Sequence, residues 1–235
     1  MAVDFGSIST NSVGDASLVV TKPSGTVAGD FLIAYKVIDN VGDTFSMTGF
    51  TQISGSPSTQ TADNQQIAVF TRLADGTEGA SFTIDSANSG PGGIIRMTGV
   101  DGTTQLDATP VASSNSSLNA SPWTVTITGI TTVTANCGLV IIAGDDVNAS
   151  ADVTHSTPSG FTSRADQNDG FRNIVVFTGT AGAAGATGNF TFTGTSAGNS
   201  AGWGGFLLAL RPADAGGSPV GPSTLIATVT RRIGA

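Results

Sequence analysis

"IVVFTGTAGAAGATGNFTF", residues Ile174 to Phe192, joins two unlike patterns. Its ends, Ile174–Thr178 and Asn189–Phe192, alternate apolar and polar residues as half-buried strands do. Its middle is almost pure Gly and Ala, the composition of a spacer. Whether the chain is two domains on a linker or one fold turns on this stretch. An upstream segment decides it: in "IAVFTRLADGTEGASFTI", Ile67 answers to Ile174, Phe70 to Phe177, Thr71 to Thr178 and Phe82 to Phe190. The Gly/Ala middle then falls where the first copy has "RLADGTEGA". It reads as a hairpin connection between paired strands, stripped of the charges of Asp75 and Glu78. Small uncharged residues admit the close approach of another backbone, so the stretch is a candidate contact surface.

The correspondence extends in both directions. "DFLIAYKVIDN" (Asp30–Asn40) aligns with "GLVIIAGDDVN" (Gly138–Asn148), and "SMTGFTQ" with "STPSGFTSR", placing Gly49-Phe50 over Gly160-Phe161. "GPGGIIRMTGVD" (Gly90–Asp101) aligns with "AGWGGFLLALRP" (Ala201–Pro212), and "SLVVT" (Ser17–Thr21) with "WTVTI" (Trp123–Ile127). Segments in the same order at an offset near ~108 residues mark an internal duplication. The repeat halves span about 15–101 and 122–212. Each contributes six candidate strands: 17–21, 30–38, 45–53, 66–73, 80–85 and 93–100, then 123–128, 138–144, 160–165, 172–179, 188–194 and 203–211.

These patterns predict an all-β chain, an antiparallel jelly-roll-like β-sandwich of about twelve strands built from the duplication. Strands apolar on both faces, "LVIIA" and "FLLAL", belong in the centre. The halves could form two small sandwiches or interleave into one. The single sandwich over 1–212 is favoured, because no linker parts the halves and each alone would have a thin core. A Gly/Pro/Ser-rich linker follows at 213–223, and 224–235 reads as a C-terminal strand-like arm. That arm either folds back or is held by a neighbouring subunit as an added strand. Its predicted partner contacts are Leu225, Ile226, Val229, Arg231 and Arg232, and the strand-like start Val3–Ile8 is a second candidate for reaching neighbours.

Composition agrees and excludes several functions. Hydrophobic residues are 39% of the chain and charged residues 11%, with 32 Gly. An ordinary domain has about 25% charged residues. Net charge is −8 and the pI about 4.2, so there is no basic face for phosphates or anionic lipids. No run approaches the ~20 apolar residues of a membrane span. The start "MAVDFGSIST" lacks a signal-peptide pattern, which predicts assembly in a cytoplasm. One cysteine, Cys137, excludes intrachain disulfides and multi-Cys metal sites.

The candidate chemistry is thin. G-x-S-x-G occurs around Ser196 and Ser200, but a hydrolase needs a strand before it and a helix after it, and the only histidine, His155, precedes both serines. His155 sits in "DVTHSTPSG", which reads as a surface loop; it cannot by itself hold a metal, nor act as a general base without organised partners. Asp145, Asp146, Asp152, Asp166 and Asp169, with Asp39, Asp43, Asp75 and Glu78, read as solvated loop charges without calcium-loop spacing or a glycosidase pairing. Trp123, Trp203 and Tyr35 lie on predicted strands, where core packing explains them better than a sugar platform. Phe50 and Phe161 read as core plugs at equivalent turns, and Cys137 as a small buried residue. No catalytic, cofactor or metal residue is assigned.

"KPSGTVAGDFLIAYKVI" (Lys22–Ile38), "GFTQI" (Gly49–Ile53), "IAVFTRLADGTEGASFTI" and "GWGGFLLALRP" (Gly202–Pro212) together resemble β-sandwich virion structural proteins of tailed bacteriophages. The resemblance covers about residues 15–212 and rests on strand and turn patterns. It implies a non-enzymatic, surface-displayed, oligomeric module without cofactors: a capsid decoration or cement protein on the head surface, in contact with the major capsid protein or with copies of itself. The alternative it implies is a tail-fibre module that binds a receptor or host glycan. Either way the expected location is the virion, with no nucleic acid bound and no membrane inserted. The segment 213–235 lies outside the resemblance.

Overall fold

The computed structural model describes residues 1–12, 15–61, 64–115, 121–147, 153–197 and 200–213. The arm and its five contact residues Leu225, Ile226, Val229, Arg231 and Arg232 lie outside the described residues, as does the linker after Ala213. The first half carries β1 (Asp4–Asn11), β2 (Ser17–Thr21), β3 (Phe31–Asp39), β4 (Thr51–Gln52), β5 (Ser58–Gln60), β6 (Gln65–Leu73), β7 (Ser81–Asp85) and β8 (Gly92–Thr98). The second carries β9 (Val111–Asn115), β10 (Trp123–Ile127), β11 (Thr131–Thr132), β12 (Gly138–Val147), β13 (Val153–His155), β14 (Phe161–Asn168), β15 (Arg172–Thr180), β16 (Gly185–Ala186), β17 (Phe190–Ser196) and β18 (Ser200–Leu210).

The chain is all-β, and its antiparallel sheets pack as a β-sandwich. One large sheet runs β1-β8-β3-β6-β4, with β5 also on β6; the other runs β9-β18-β12-β15-β14. The two orders are the same order. β2-β7 lies outside the first sheet and β10-β17-β13 outside the second. Three apolar layers result. The central one joins the two large sheets through Ile33, Tyr35, Val37, Ile67 and Val69 on one side and Val140, Ile142, Ile174, Phe206 and Leu208 on the other. The outer layers are built on Leu18, Leu32, Ile84 and Ile94, and on Val125, Ile141, Phe177 and Leu207. Both-faced apolar strands occupy the centre, as their sequences require: Val140 and Ile142 point into one layer, Leu139 and Ile141 into the next.

Three expectations change in detail. The halves do not interleave strands; each builds its own large sheet, and the two sheets meet face to face. The start of the chain forms the edge strand β1, paired on one side along β8 of its own sheet. The segment 45–53 is strand only at Thr51–Gln52, with Ser46 bridged to Asp85. The Gly/Ala stretch is no hairpin, because β15 lies in a large sheet and β17 in the outer one, so it crosses between layers. On the way it pairs with Thr131–Thr132, and Ile130 accepts a hydrogen bond from Thr187 N. Glycine is needed here: a Cβ on Gly129 would lie 2.2 Å from the Gly188 carbonyl oxygen, and Gly188 has φ 70°.

The register also corrects the alignment of the halves. Val37 pairs with Ile67, and Gly144 pairs with Ile174. Since Ile67 answers to Ile174, Val37 answers to Gly144 and Ile38 to Asp145, one residue away from the sequence alignment. A one-residue slip exchanges faces. Corrected, it puts an aspartate where the first half has a core isoleucine.

Candidate functional site

Asp145 lies on β12 among Leu139, Ile141 and Ala143, a strand whose faces are both covered. A buried carboxylate there needs partners. They come from two neighbouring elements. His155 on β13 places Nε2 2.9 Å from Asp145 Oδ2 and Nδ1 2.9 Å from Asp166 Oδ1. Asp166 on β14 also accepts the His155 backbone N–H through Oδ2 at 3.1 Å. The side chains of His155 and Asp145 are each 1% exposed, and that of Asp166 31%. The sequence places His155 in a surface loop; the structure places it on a strand with its ring buried. β13 escapes pattern reading because three residues cannot display a period, and its ladder partners on β17 hold it extended. The readable signal was the aspartate in the both-faced apolar run "LVIIAGDDV", with the chain's only histidine shortly after it.

Around this triad the large sheet carries one polar row. Asn168, Asn173, Asp145, Trp203 and Asn115 are successive cross-strand partners on β14, β15, β12, β18 and β9. Trp123, on the outer sheet, pairs with Gly194, which pairs in turn with His155. A Cβ on Gly194 would lie 2.3 Å from Trp123 Cε2, so the indole lies over the glycine. Phe192 meets the His155 ring edge-on at 6.0 Å. Asp145 Oδ1, both Asn173 amide atoms and the Nε1 atoms of Trp123 and Trp203 are buried without a hydrogen-bond partner among the described residues.

Burial alone would push the His155 proton off, but the hydrogen bonds and charges of Asp145 and Asp166 outweigh it and raise the imidazole to about 9. At neutral pH the ring is therefore an imidazolium held between two carboxylates. Both nitrogens are occupied, so neither is free to take a proton from a substrate. The two carboxylates lie on opposite sides of the ring and do not converge. Among the described residues no group of three or more His, Cys, Asp and Glu side chains could hold a metal ion.

The other candidates separate clearly. Ser196 ends β17 and Ser200 begins β18, so the motif runs strand to strand, without the helix a nucleophilic serine requires. Tyr35, Trp123 and Trp203 are core residues, 0%, 3% and 3% exposed, and Cys137 is fully buried. Phe50 and Phe161 plug equivalent corners: Phe50 meets Phe82 edge-on at 5.2 Å, and Phe161 meets Phe190 at 4.8 Å. Glu78 is no solvated charge, since its buried carboxylate accepts the Asp75 and Gly76 N–H groups and pairs with Arg72. Asp169 pairs with Arg172, and Asp43 accepts from Asn40 and Asn88. Asp152 lies outside the described residues. Sequence reasoning also missed Lys36, wholly buried, its Nζ donating to the carbonyls of Asp15 and Ala16 and to Ser86 Oγ.

A shallow hollow of about 470 Å³ opens beside the Gly/Ala crossover, lined by Leu139, Phe161, Phe190, Ser159, Thr180 and the small residues 181–187. At the equivalent place in the first half, Arg72 reaches over Gly49, a neighbour the second half replaces with Gly179. No protein-family model, curated protein or solved structure matches the chain.

Proposed function

We propose that the chain is a non-enzymatic structural protein of a tailed-bacteriophage virion, a decoration or cement protein on the head surface. The observation that carries this is the role of the resembling motifs. "PSGTVAGDFLIA" makes the turn into the central strand β3, with Gly25 and Gly29 at φ 72° and 89°. Each "GFT" enters an edge strand from Gly49 or Gly160, at φ 77° and 82°. "FLLAL" ends β18, an interior strand beside the central β12. The motifs build a frame, and the buried charges are spent on internal ion pairs and hydrogen bonds. Such a body suits a load-bearing partner of the major capsid protein or of further copies of itself. Particles assembled without the protein should lose their genome at lower temperature than complete particles. Equal heat sensitivity, or labelling that finds the chain at the tail alone, would refute the cement role.

A second reading, a receptor- or glycan-binding module of a tail fibre, is favoured by the hollow beside Phe161 and Phe190. Two ring edges with three hydroxyls are a neutral surface of the kind a sugar can use. A glycan array and host-cell binding with the purified chain separate the two: saturable binding lost in Phe190→Ala supports the fibre reading.

A further inference from the structure

The duplication supplies an internal comparison. Ser46 exchanges backbone hydrogen bonds with Asp85 on β7, and Ser156 N donates to Thr193 O on β17. The residues just before them, Phe45 and His155, therefore hold equivalent places against the outer sheets. Ile38 and Asp145 are equivalent by register. In the first half Ile38 and Phe45 belong to one apolar cluster. The same frame thus closes its outer layer with two apolar side chains in one half and with an ionised triad in the other. The fold does not require the triad.

The triad also sits at a mechanical seam. β14 is the edge strand of its sheet, and β13 is the edge strand of the outer sheet facing it. Two fasteners hold β14 to this outer sheet. One is the contact of Phe161 on β14 with Phe190 on β17, which carries no charge. The other is Asp166, which grips both the ring and the backbone N–H of His155. We propose that Asp145, His155 and Asp166 form a proton-operated strap, which closes the outer layer of the second half while the imidazole holds two protons and loosens it at the β13–β14 seam when one leaves.

The chemistry fixes which side opens. A neutral imidazole has one N–H for two carboxylates. Asp145 is sealed from water, and its Oδ1 already lacks a partner among the described residues, so it must keep the Nε2–H bond. Nδ1 then turns a lone pair toward Asp166 Oδ1. Asp166 is partly exposed and can rehydrate, whereas Asp145 cannot. β13 stays on β17 through its three backbone pairs, so the outer sheet parts from β14 as a unit. Among the described residues no other charged group faces the ring, Asp146 being the strand neighbour of Asp145 and so directed to the other face of β12. β10, β17 and β18 carry no ionisable side chain, β12 and β14 offer Asp145 and Asp166, and Arg164 and Arg172 are engaged by Thr178 with the Phe5 ring and by Asp169. The raised affinity of His155 for its proton is what this geometry demands.

The chain carries its own reporters. It has one histidine, so the imidazole signal in proton–carbon NMR needs no assignment. It has two tryptophans, and both flank the strap: Trp203 pairs with Asp145, and Trp123 lies across Gly194 from His155. Titrated from pH 7 to 10.5, the imidazole signal should move with a midpoint near 9, and tryptophan emission should change reversibly with the same midpoint. The double variant His155→Phe, Asp145→Ile, which installs the residues of the first half, should lose the emission change across that range. An imidazole midpoint near the ordinary ~6.5 would overturn the proposal. So would emission that stays flat while the imidazole titrates, or a double variant that keeps the wild-type transition. If the double variant does not fold, the two wild-type titrations decide alone.

Discussion

Removing one oxygen atom tests the central layer. Tyr35 is fully buried, and its hydroxyl donates to Gln167 Oε1 at 2.8 Å; Gln167 Nε2 in turn donates to the Gly92 carbonyl at 3.0 Å. The pair joins the first half to the second through the interior. Gly93 makes the room, since a Cβ there would lie 2.5 Å from the tyrosine oxygen. In Tyr35→Phe the apolar ring stays, but Gln167 Oε1 is left as a buried acceptor without a donor. Leaving such a group unpaired costs about 1–3 kcal/mol. For a chain of this size each kcal/mol lowers Tm by roughly 2–4 °C, so a loss near 2 kcal/mol predicts a fall of about 4–8 °C. Calorimetry at pH 7 measures it. Adding Gln167→Leu to Tyr35→Phe removes both partners together and should recover part of the loss. Tyr35→Phe melting at or above the wild type would refute the reasoning. Tyr35 is also the chain's only tyrosine, and burial holds its pKa far above the usual value. Absorbance at the phenolate wavelength should therefore stay flat on alkaline titration until the protein unfolds.

Three further outcomes follow from other groups. Asp107 is buried and would be raised by burial, but the Thr134 hydroxyl and the N–H groups of Val133 and Thr134 bring it down to about 2. Its stabilisation is present above the ordinary carboxylate pKa and lost as pH falls through 2; Asp107→Ala should cost about 2 kcal/mol at pH 7 in urea unfolding and almost nothing at pH 2. Gly194→Val should unseat the Trp123 ring, shifting tryptophan emission and lowering stability by about 2 kcal/mol or more. Lys36 and His155 should bend the pH–stability curve in opposite senses. The proton that folded His155 keeps makes stability fall from about pH 6.5 to 9. Desolvation lowers Lys36 from 10.5 to about 8, so the unfolded chain binds the extra proton between those values and stability rises there. Burial holds the Cys137 thiol up to about 12, and its opposite contribution cancels that rise above pH 9, so urea midpoints should fall from about pH 6.5 and level off between pH 8 and 10, and the double variant of the strap should lose the falling limb.

The long elements were legible because period and length agree: "FLIAYKVI" and "LVIIA" can only be central strands, and both are. The six strands missing from the expected set are β1, β5, β9, β11, β13 and β16. Four of them have two or three residues, too few for alternation to show. Of the other two, "DFGSISTN" takes in most of the strand-like start Val3–Ile8, whose Phe5 and Ile8 pack against the core, and "VASSN" is a polar edge strand without a buried face to mark it. The triad was illegible for a different reason. Its members lie ten and eleven residues apart, on three strands. Only the pairing of β12, β14 and β17 within their sheets brings them together. Aligning the halves by composition hid it further, because the one-residue slip set Asp145 against Val37, a residue of the other face.

Divergence between the halves has a direction. An isoleucine and a phenylalanine close the first half at no electrostatic cost. The ionised triad must first be taken out of water, and replacing buried ion groups by apolar residues of similar volume is often neutral or stabilising. Stability alone therefore gives no reason for Asp145, His155 and Asp166, and the atoms of Asp145, Asn173, Trp123 and Trp203 beside them, which no described residue partners, make the row more costly still. What the triad supplies and the apolar pair cannot is a closure that depends on a proton. The crossovers diverge in a parallel way: Arg72, Asp75 and Glu78 brace the first, while the second keeps Gly and Ala and leaves a hollow beside Phe161 and Phe190. In one half charge was traded from the crossover and gained at the seam, so its outer layer is the one built to respond, and the first half is the frame against which it moves.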